Sequence, residues 1–279
     1  TRDVVAERPN VLYIREPVAG LDVARNCALA HAERGWIVFV DDDVRVDRWW
    51  LRGLAAALEE HPDAAAVTGL VLPAQLETRA QIRFERSGGF GRGYEQIRWD
   101  GRHGPGTPLH PFGAGVFGAG CNMAFDVERM RQLGGFDDAL DTGPPLPGGG
   151  DLDAFFRVLQ AGYVLVYEPR MAVFHRHRRG DDELRYQYYS WGLGFMAFLG
   201  AHWGERSNRA SIVRMWVWWM HYSGRRVSGT VRSHDLRGLG LALSEFHGGL
   251  VGLAGEYQRS QRRMEQRRAL RQSTDPVGA

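Results

Sequence analysis

The chain has 279 residues, 44% hydrophobic and 24% charged, enough for one sizeable globular domain with an appended region. Thirty-five basic side chains against 33 acidic ones leave a formal charge of +2, which gives no general case for a nucleic-acid partner. Two cysteines, Cys27 and Cys121, are too few for a disulfide framework or an all-cysteine metal site, so a reducing, cytoplasmic setting is expected.

In chain order, PNVLYIREP (residues 9–17) reads as a short strand and GLDVARNCALAHAERG as a helix stopped at Gly35. WIVFV (36–40) is apolar on both faces, as a central parallel strand covered by helices on both sides would be. Asp47 can cap the next helix, whose Trp50, Leu54 and Leu58 share a face before Pro62 ends it, and AAAVTGLVL returns as a strand. Alternation of strand and helix predicts an α/β fold with a mostly parallel sheet. Between Pro73 and Pro111 the Gly, Arg and aromatic residues show no sustained period, and so long a loop suits a functional segment. GAGVFGAGCNMAFD then reads as a strand broken by glycines, VERMRQLGG as a helix, FDDALDTGPPLPGGG as a loop and DLDAFFRVLQAGY as a helix opening at Asp151. VLVYEP and MAVFHRH read as two short strands.

Beyond residue 180 the sequence turns helical, aromatic and basic, which divides the chain into 1–180 and 181–279. No uninterrupted apolar run reaches the roughly 18 residues of a spanning helix. SIVRMWVWWMHYSGRRV (211–227), rich in Trp with Arg towards both ends, suits either a membrane-interface helix or a buried one. The basic stretch RSQRRMEQRRALRQ reads as a solvated helix able to touch an acidic surface.

Three places could carry chemistry. Asp41, Asp42 and Asp43 end the WIVFV strand, where ligands bind in open α/β sheets; adjacent carboxylates repel unless donors or a cation neutralise them. In a turn Asp41 and Asp43 can converge while Asp42 points away, although a solvated turn explains the triplet equally well. Asp151 is either an N-cap or a general base presented to an acceptor hydroxyl. His175 and His177 alternate on a strand, so they share a face and either could join carboxylates in a mixed N/O metal site.

These stretches together, from ARNCALAHAERGWIVFVDDDV through GAGCNMAFDVERMRQLGGFDDAL to GGGDLDAFFRVLQAGYVLVYEPRMAVFHRH, resemble the inverting family-two glycosyltransferases of GT-A fold over roughly residues 10–180. The order is specific: a carboxylate triplet, a small-residue loop, GGFDD, an aspartate heading a helix, and a histidine 24 positions later. The resemblance implies a divalent metal, Mn2+ or Mg2+, bound to the diphosphate of a nucleotide-sugar donor. Asp43 would be the firm ligand, Asp41 would face ribose or metal, and His175 would complete the site. It further implies Asp151 as catalytic base, with Arg25, Asp42, Gly120, Cys121 and Asn122 at the donor. Gly150 stands where the family usually has Glu, so Asp153 becomes the candidate acceptor contact. The family's opening strand and base-binding turn would lie upstream of Pro9, so the domain reads as lacking about one βαβ unit.

The expected function is carbohydrate biosynthesis: metal-dependent transfer of a sugar, as a hexosyltransferase would, to a glycan, lipid-linked or small-molecule acceptor. No nucleic acid is involved, and residues 181–279 would mediate peripheral contact with the inner face of a membrane or an oligomer. Two alternatives stay open: a non-catalytic family member that binds a nucleotide sugar or glycan, and a metal-dependent nucleotidyltransferase.

Overall fold

The computed structural model describes residues 3, 5, 7, 8, 10–101 and 109–274, with side chains described as far as residue 271. Helix α1 (Leu21–His31) leads into β1 (Trp36–Val40) and β2 (Val44–Val46); α2 (Trp50–Glu60) precedes β3 (Ala64–Pro73). Asp47 receives the Trp49 amide at 2.8 Å, and Trp50 and Leu54 are buried as the pattern predicts. Among the described residues of 9–17 the expected strand does not form: residues 11–17 carry no regular structure, and Val11, Leu12, Tyr13 and Ile14 are exposed.

The supposed long loop contains α3 (Arg79–Arg86), fixed by a capping box between Thr78 and Gln81, and β4 (Ile97–Trp99). Residues 102–108 of that stretch lie outside the described residues. A 3-10 turn (Ala114–Val116) leads to β5 (Asn122–Asp126), α4 (Val127–Gln132), α5 (Gly150–Gln160) and β6 (Val164–His175).

The fold is mixed α/β, but the sheet is not mostly parallel. Its order is β1-β5-β3-β6-β2, with β4 also on β6, and among the described residues only β3 and β6 run parallel. Strand β1 is therefore an antiparallel edge strand among the described residues, half-buried rather than central. Alternating strands and helices predict layers, not strand direction, and β5 returns antiparallel because its long connection brings it back from the far end of the sheet.

The two strands read from VLVYEP and MAVFHRH are one strand. Pro169 falls inside it, where the β3–β6 register jumps between Gly69↔Glu168 and Val71↔Val173. The bulge removes the residue that cannot donate from the ladder.

Beyond β6 the described elements are helices: α6 (Asp181–Ala201), α7 (Arg206–Arg232), α8 (Leu236–Val251), a kinked turn at Gly252–Glu256, and α9 (Tyr257–Thr274). They share the core of the sheet region: Phe198 of α6 packs edge-on against Phe156 of α5, and Met215 and Trp219 of α7 lie in the same cluster. Helices α6 and α8 touch backbone to backbone, since a Cβ on Gly248 would overlap the Tyr189 carbonyl. The basic helix α9 is not simply solvated. Met264 is buried, Arg267 donates to the Ala19 carbonyl at 2.9 Å, and Arg268 pairs with Asp138. No described helix is long and apolar enough to cross a membrane.

Candidate active site

Strand register assembles the site. Val40 faces Asn122 across β1 and β5, so Asp41 and Cys121 come next to each other just past the ends of those strands. Val44 faces His175 across β2 and β6, so Asp43 meets the end of β6, and its Oδ1 lies 3.5 Å from His175 Nε2. Among the described residues one group, Asp41, Cys121 and His175, has its potential ligand atoms all within 4.8 Å of one another. Asp42 is exposed and points away, as a tight turn requires.

Asp151 does not cap its helix. The N-cap is Gly149, and Asp151 Oδ2 instead accepts the Gly120 amide at 2.9 Å, while Oδ1 accepts the Leu152 amide at 2.9 Å. Arg25 is buried; its Nη1 is held by Asp22 at 2.8 Å and reaches Asp141 at 3.6 Å, while its Nη2 donates to the Gly120 carbonyl at 3.4 Å.

A cavity of about 860 Å³ is lined by Arg25, Asp41, Gly120, Cys121, Asp151 and His175. Trp191, Phe195, Trp218 and Tyr222 from the C-terminal helices face the same cavity, which is thus acidic at one end and aromatic at the other.

Four expected site residues are absent from that lining: Asp42 and Asp43, in the turn after β1, and Asn122 and Asp153. Asn122 is fully buried: its amide donates to the carbonyls of Leu70 (3.0 Å) and Met171 (2.7 Å), and its oxygen accepts Trp50 Nε1 (2.9 Å). It fills the hydrogen bonds the β3–β6 bulge leaves open, so it supports the sheet rather than a donor. Asp153 is 2% exposed and grips Arg157 Nε at 2.6 Å and His202 Nε2 at 2.7 Å, on the side of α5 facing the C-terminal helices, so it does not reach an acceptor.

The electrostatics follow from crowding. Burial pushes Asp41 up, helped by Asp43, Asp151 and Asp42, against the pull of Arg25. Asp141, absent from the sequence expectations although it lines the cavity, is raised to about 6 by burial, with Asp151 and Asp41 reinforcing and Arg25 opposing. Its only sequence signal is an acid beside the Gly-Pro loop. Burial lowers His175 despite Asp43 nearby, which keeps an imidazole lone pair for a ligand. His177 bonds Glu85 at 2.7 Å through Nε2 and approaches His175 with Nδ1 to Nδ1 at 3.2 Å, so it orients rather than lines the site.

This donor set fits a divalent cation. An oxygen of Asp41, a nitrogen of His175 and the sulfur of Cys121 converge, and beside them Asp43 Oδ1 is buried with no hydrogen-bond partner, so it has a desolvated lone pair to offer.

Among curated relatives, the pre-mycofactocin glycosyltransferase of Mycobacterium tuberculosis (strain ATCC 25618 / H37Rv) is 26% identical over 177 residues, 63% of this chain and 34% of that protein. Polypeptide N-acetylgalactosaminyltransferase 11 of Xenopus tropicalis is 28% identical over 166 residues, 57% of this chain and 26% of that protein. The chain thus spans about a third or less of the length of these relatives. Among solved structures, mannosyltransferase PcManGT from Pyrobaculum calidifontis in complex with GDP-Man and Mn2+ overlaps with a TM-score of 0.48. It is 14% identical, covering 90% of this chain and 72% of the other. The sequence model described as Glycosyl transferase family 2 matches residues 1–120, the segment carrying the aspartate triplet and ending at Gly120, and the chain is similar to the family-two glycosyltransferases, as its motifs imply.

Proposed function

We propose that this chain transfers a sugar from a nucleoside-diphosphate donor to an acceptor hydroxyl, with inversion and with Mn2+ or Mg2+ bound. The observation that supports this best is the convergence on one cavity of strand-end Asp41, β6-terminal His175 and Asp151 at the start of α5. Asp43 and His175 would hold the metal, with Asp41 beside them. A bound divalent cation supplies Lewis-acid stabilisation of the departing diphosphate. Arg25, fixed by Asp22, adds positive charge on the donor side. Asp151 accepts the proton of the attacking hydroxyl, and the Gly120 amide keeps its carboxylate aimed into the cavity. Attack from the face opposite the diphosphate inverts the anomeric centre in a single displacement.

The test is a panel of nucleotide sugars with Mn2+ and varied acceptors, reading nucleoside diphosphate and the product anomer. Release of nucleoside diphosphate with an inverted product is expected, and Asp151→Asn abolishes release while metal-dependent nucleotide binding survives. Binding without release across the panel would make the chain a non-catalytic binder, and release of pyrophosphate would make it a nucleotidyltransferase.

The acceptor end, with Trp191, Trp218 and Tyr222, suits stacking on a sugar ring or an apolar aglycone. Helix α7 carries six arginines and no carboxylate, and its exposed Val213, Val217, Met220 and Val231 recur at helical spacing. This face supports peripheral contact with an anionic bilayer, next to the aromatic end of the cavity. Sedimentation with phosphatidylglycerol vesicles but not with phosphatidylcholine vesicles, lost in Arg214→Glu/Arg225→Glu, is the expected outcome. Equal recovery with both vesicles would count against it.

A further inference from the structure

The metal-facing end of the cavity holds one donor that a site for a hard cation does not need. Cys121 places its Sγ within 4.8 Å of both a His175 nitrogen and an Asp41 oxygen. The residue is buried, as is His175, and the register that brings it there is the same β1–β5 pairing that positions Asp41. Two donor sets therefore share His175. One pairs it with Asp43 Oδ1, 3.5 Å from Nε2, and contains only oxygen and nitrogen. The other pairs it with Asp41 and Cys121 and contains sulfur.

We propose that Asp41, Cys121 and His175 form a Zn2+ site that competes for His175 with the hard-cation set. Tetrahedral zinc, with bonds of about 2.3 Å to sulfur and about 2.0–2.1 Å to nitrogen or oxygen, needs ligand atoms roughly 3.4–3.6 Å apart. The three atoms lie within 4.8 Å of one another, so side-chain torsions need to close little more than 1 Å, and a fourth position remains for water or Asp43. Binding is balanced by loss of the thiol proton to solvent: the S–H bond breaks, a Zn–S bond forms, and nothing is oxidised. Softness separates the two sets, because a thiolate favours zinc and cobalt over magnesium and manganese. Zinc held this way occupies His175 and would inhibit turnover. That consequence rests on the transferase reading, whereas the binding itself does not.

The experiment titrates the full chain with Co2+ as a spectroscopic stand-in for zinc, without nucleotide or acceptor. Expected are a sulfur-to-cobalt charge-transfer band in the near ultraviolet and tetrahedral visible bands, saturating at one equivalent and displaced by Zn2+. Cys121→Ser removes the charge-transfer band and weakens Zn2+ binding by roughly 100-fold, as losing a direct ligand should at least match the loss of an outer-shell partner. Because the chain has only two cysteines, Cys27→Ser assigns the band without disturbing the site. Retention of the band in Cys27→Ser supports the proposal even if the Cys121 variant fails to fold. Absence of the band in the unmodified chain, or its loss in Cys27→Ser with Cys121 intact, overturns it. Since no donor is present, failure here is distinct from failure to transfer sugar.

Discussion

Asp153→Ala separates a structural carboxylate from a substrate contact. In the intact chain Asp153 is 2% exposed and bonds Arg157 at 2.6 Å and His202 at 2.7 Å. Removing one partner of a buried ion pair costs about 3–5 kcal/mol, because the remaining charge is left desolvated. Arg157 keeps bonds to the carbonyls of Leu133 (2.8 Å) and Gly135 (2.7 Å), so the lower end applies. A loss of about 3 kcal/mol corresponds to roughly 6–12 °C in Tm for a domain of this size. Thermal scans by circular dichroism at neutral pH measure it, with metal and donor binding expected unchanged per folded molecule.

The pH dependence has a defined sign. Burial opposes ionisation of Asp153, but the His202 hydrogen bond and the Arg157 charge prevail and hold its carboxyl below the usual range. A depressed folded pKa means the contribution is complete above the unfolded value of about 3.9 and is lost as pH falls through the folded value. The gap between wild type and variant should therefore close in acid. A Tm change under about 1 °C accompanied by a raised acceptor KM would refute this placement and return Asp153 to the substrate.

Asn122→Leu strands two buried carbonyls and the Trp50 indole, each costing about 1–3 kcal/mol, so a loss of about 3 kcal/mol or more in urea unfolding is expected. A near-neutral result would mean the bulge closes on itself. Asp141→Asn tests crowding: the carboxyl is raised to about 6, so the folded chain holds that proton and loses stability as pH rises through 6. The variant should gain on wild type between pH about 4 and 6 and keep the gain at neutrality, as followed by Tm against pH. Gly150→Glu should destabilise, since any Cβ there would overlap the Asp22 carboxylate, and Asp22→Gly should recover part of the loss in a double-mutant cycle. Additive losses would mean the two positions do not share that space.

The parts of the site that could be read from the sequence sit at element ends. An apolar run stopping at Asp41, a Gly-Pro loop ending at Asp151 and a strand finishing at His175 mark termini, and the termini converge because strands pair in register. Side-chain direction inside elements was less accessible. Asp153 follows Asp151 by two positions, about 200° around a helix, so a helix that aims Asp151 at the cavity turns Asp153 away. That deduction needed only helix geometry. Asn122 was a different problem: its role depends on a register jump between β3 and β6 that no local pattern announces. Strand direction was also hidden, because periodicity reports burial and not the sense in which a strand enters the sheet.

The departure at residue 150 shows how far a single position can mislead. Taken alone, Gly150 is an acid lost from the family pattern. In the fold, the space a side chain would occupy there holds the carboxylate of Asp22, which comes from α1 and is itself completely buried. Burial pushes Asp22 well up, against the pull of Arg25, and its Oδ2 has no hydrogen-bond partner while Oδ1 grips Arg25. The carboxylate at this point of the site is thus supplied from another helix and spent on fixing an arginine that lines the cavity. Residues 22, 25 and 150 constrain one another through that contact, so restoring glutamate at 150 alone would unseat Arg25 rather than recreate an acceptor contact.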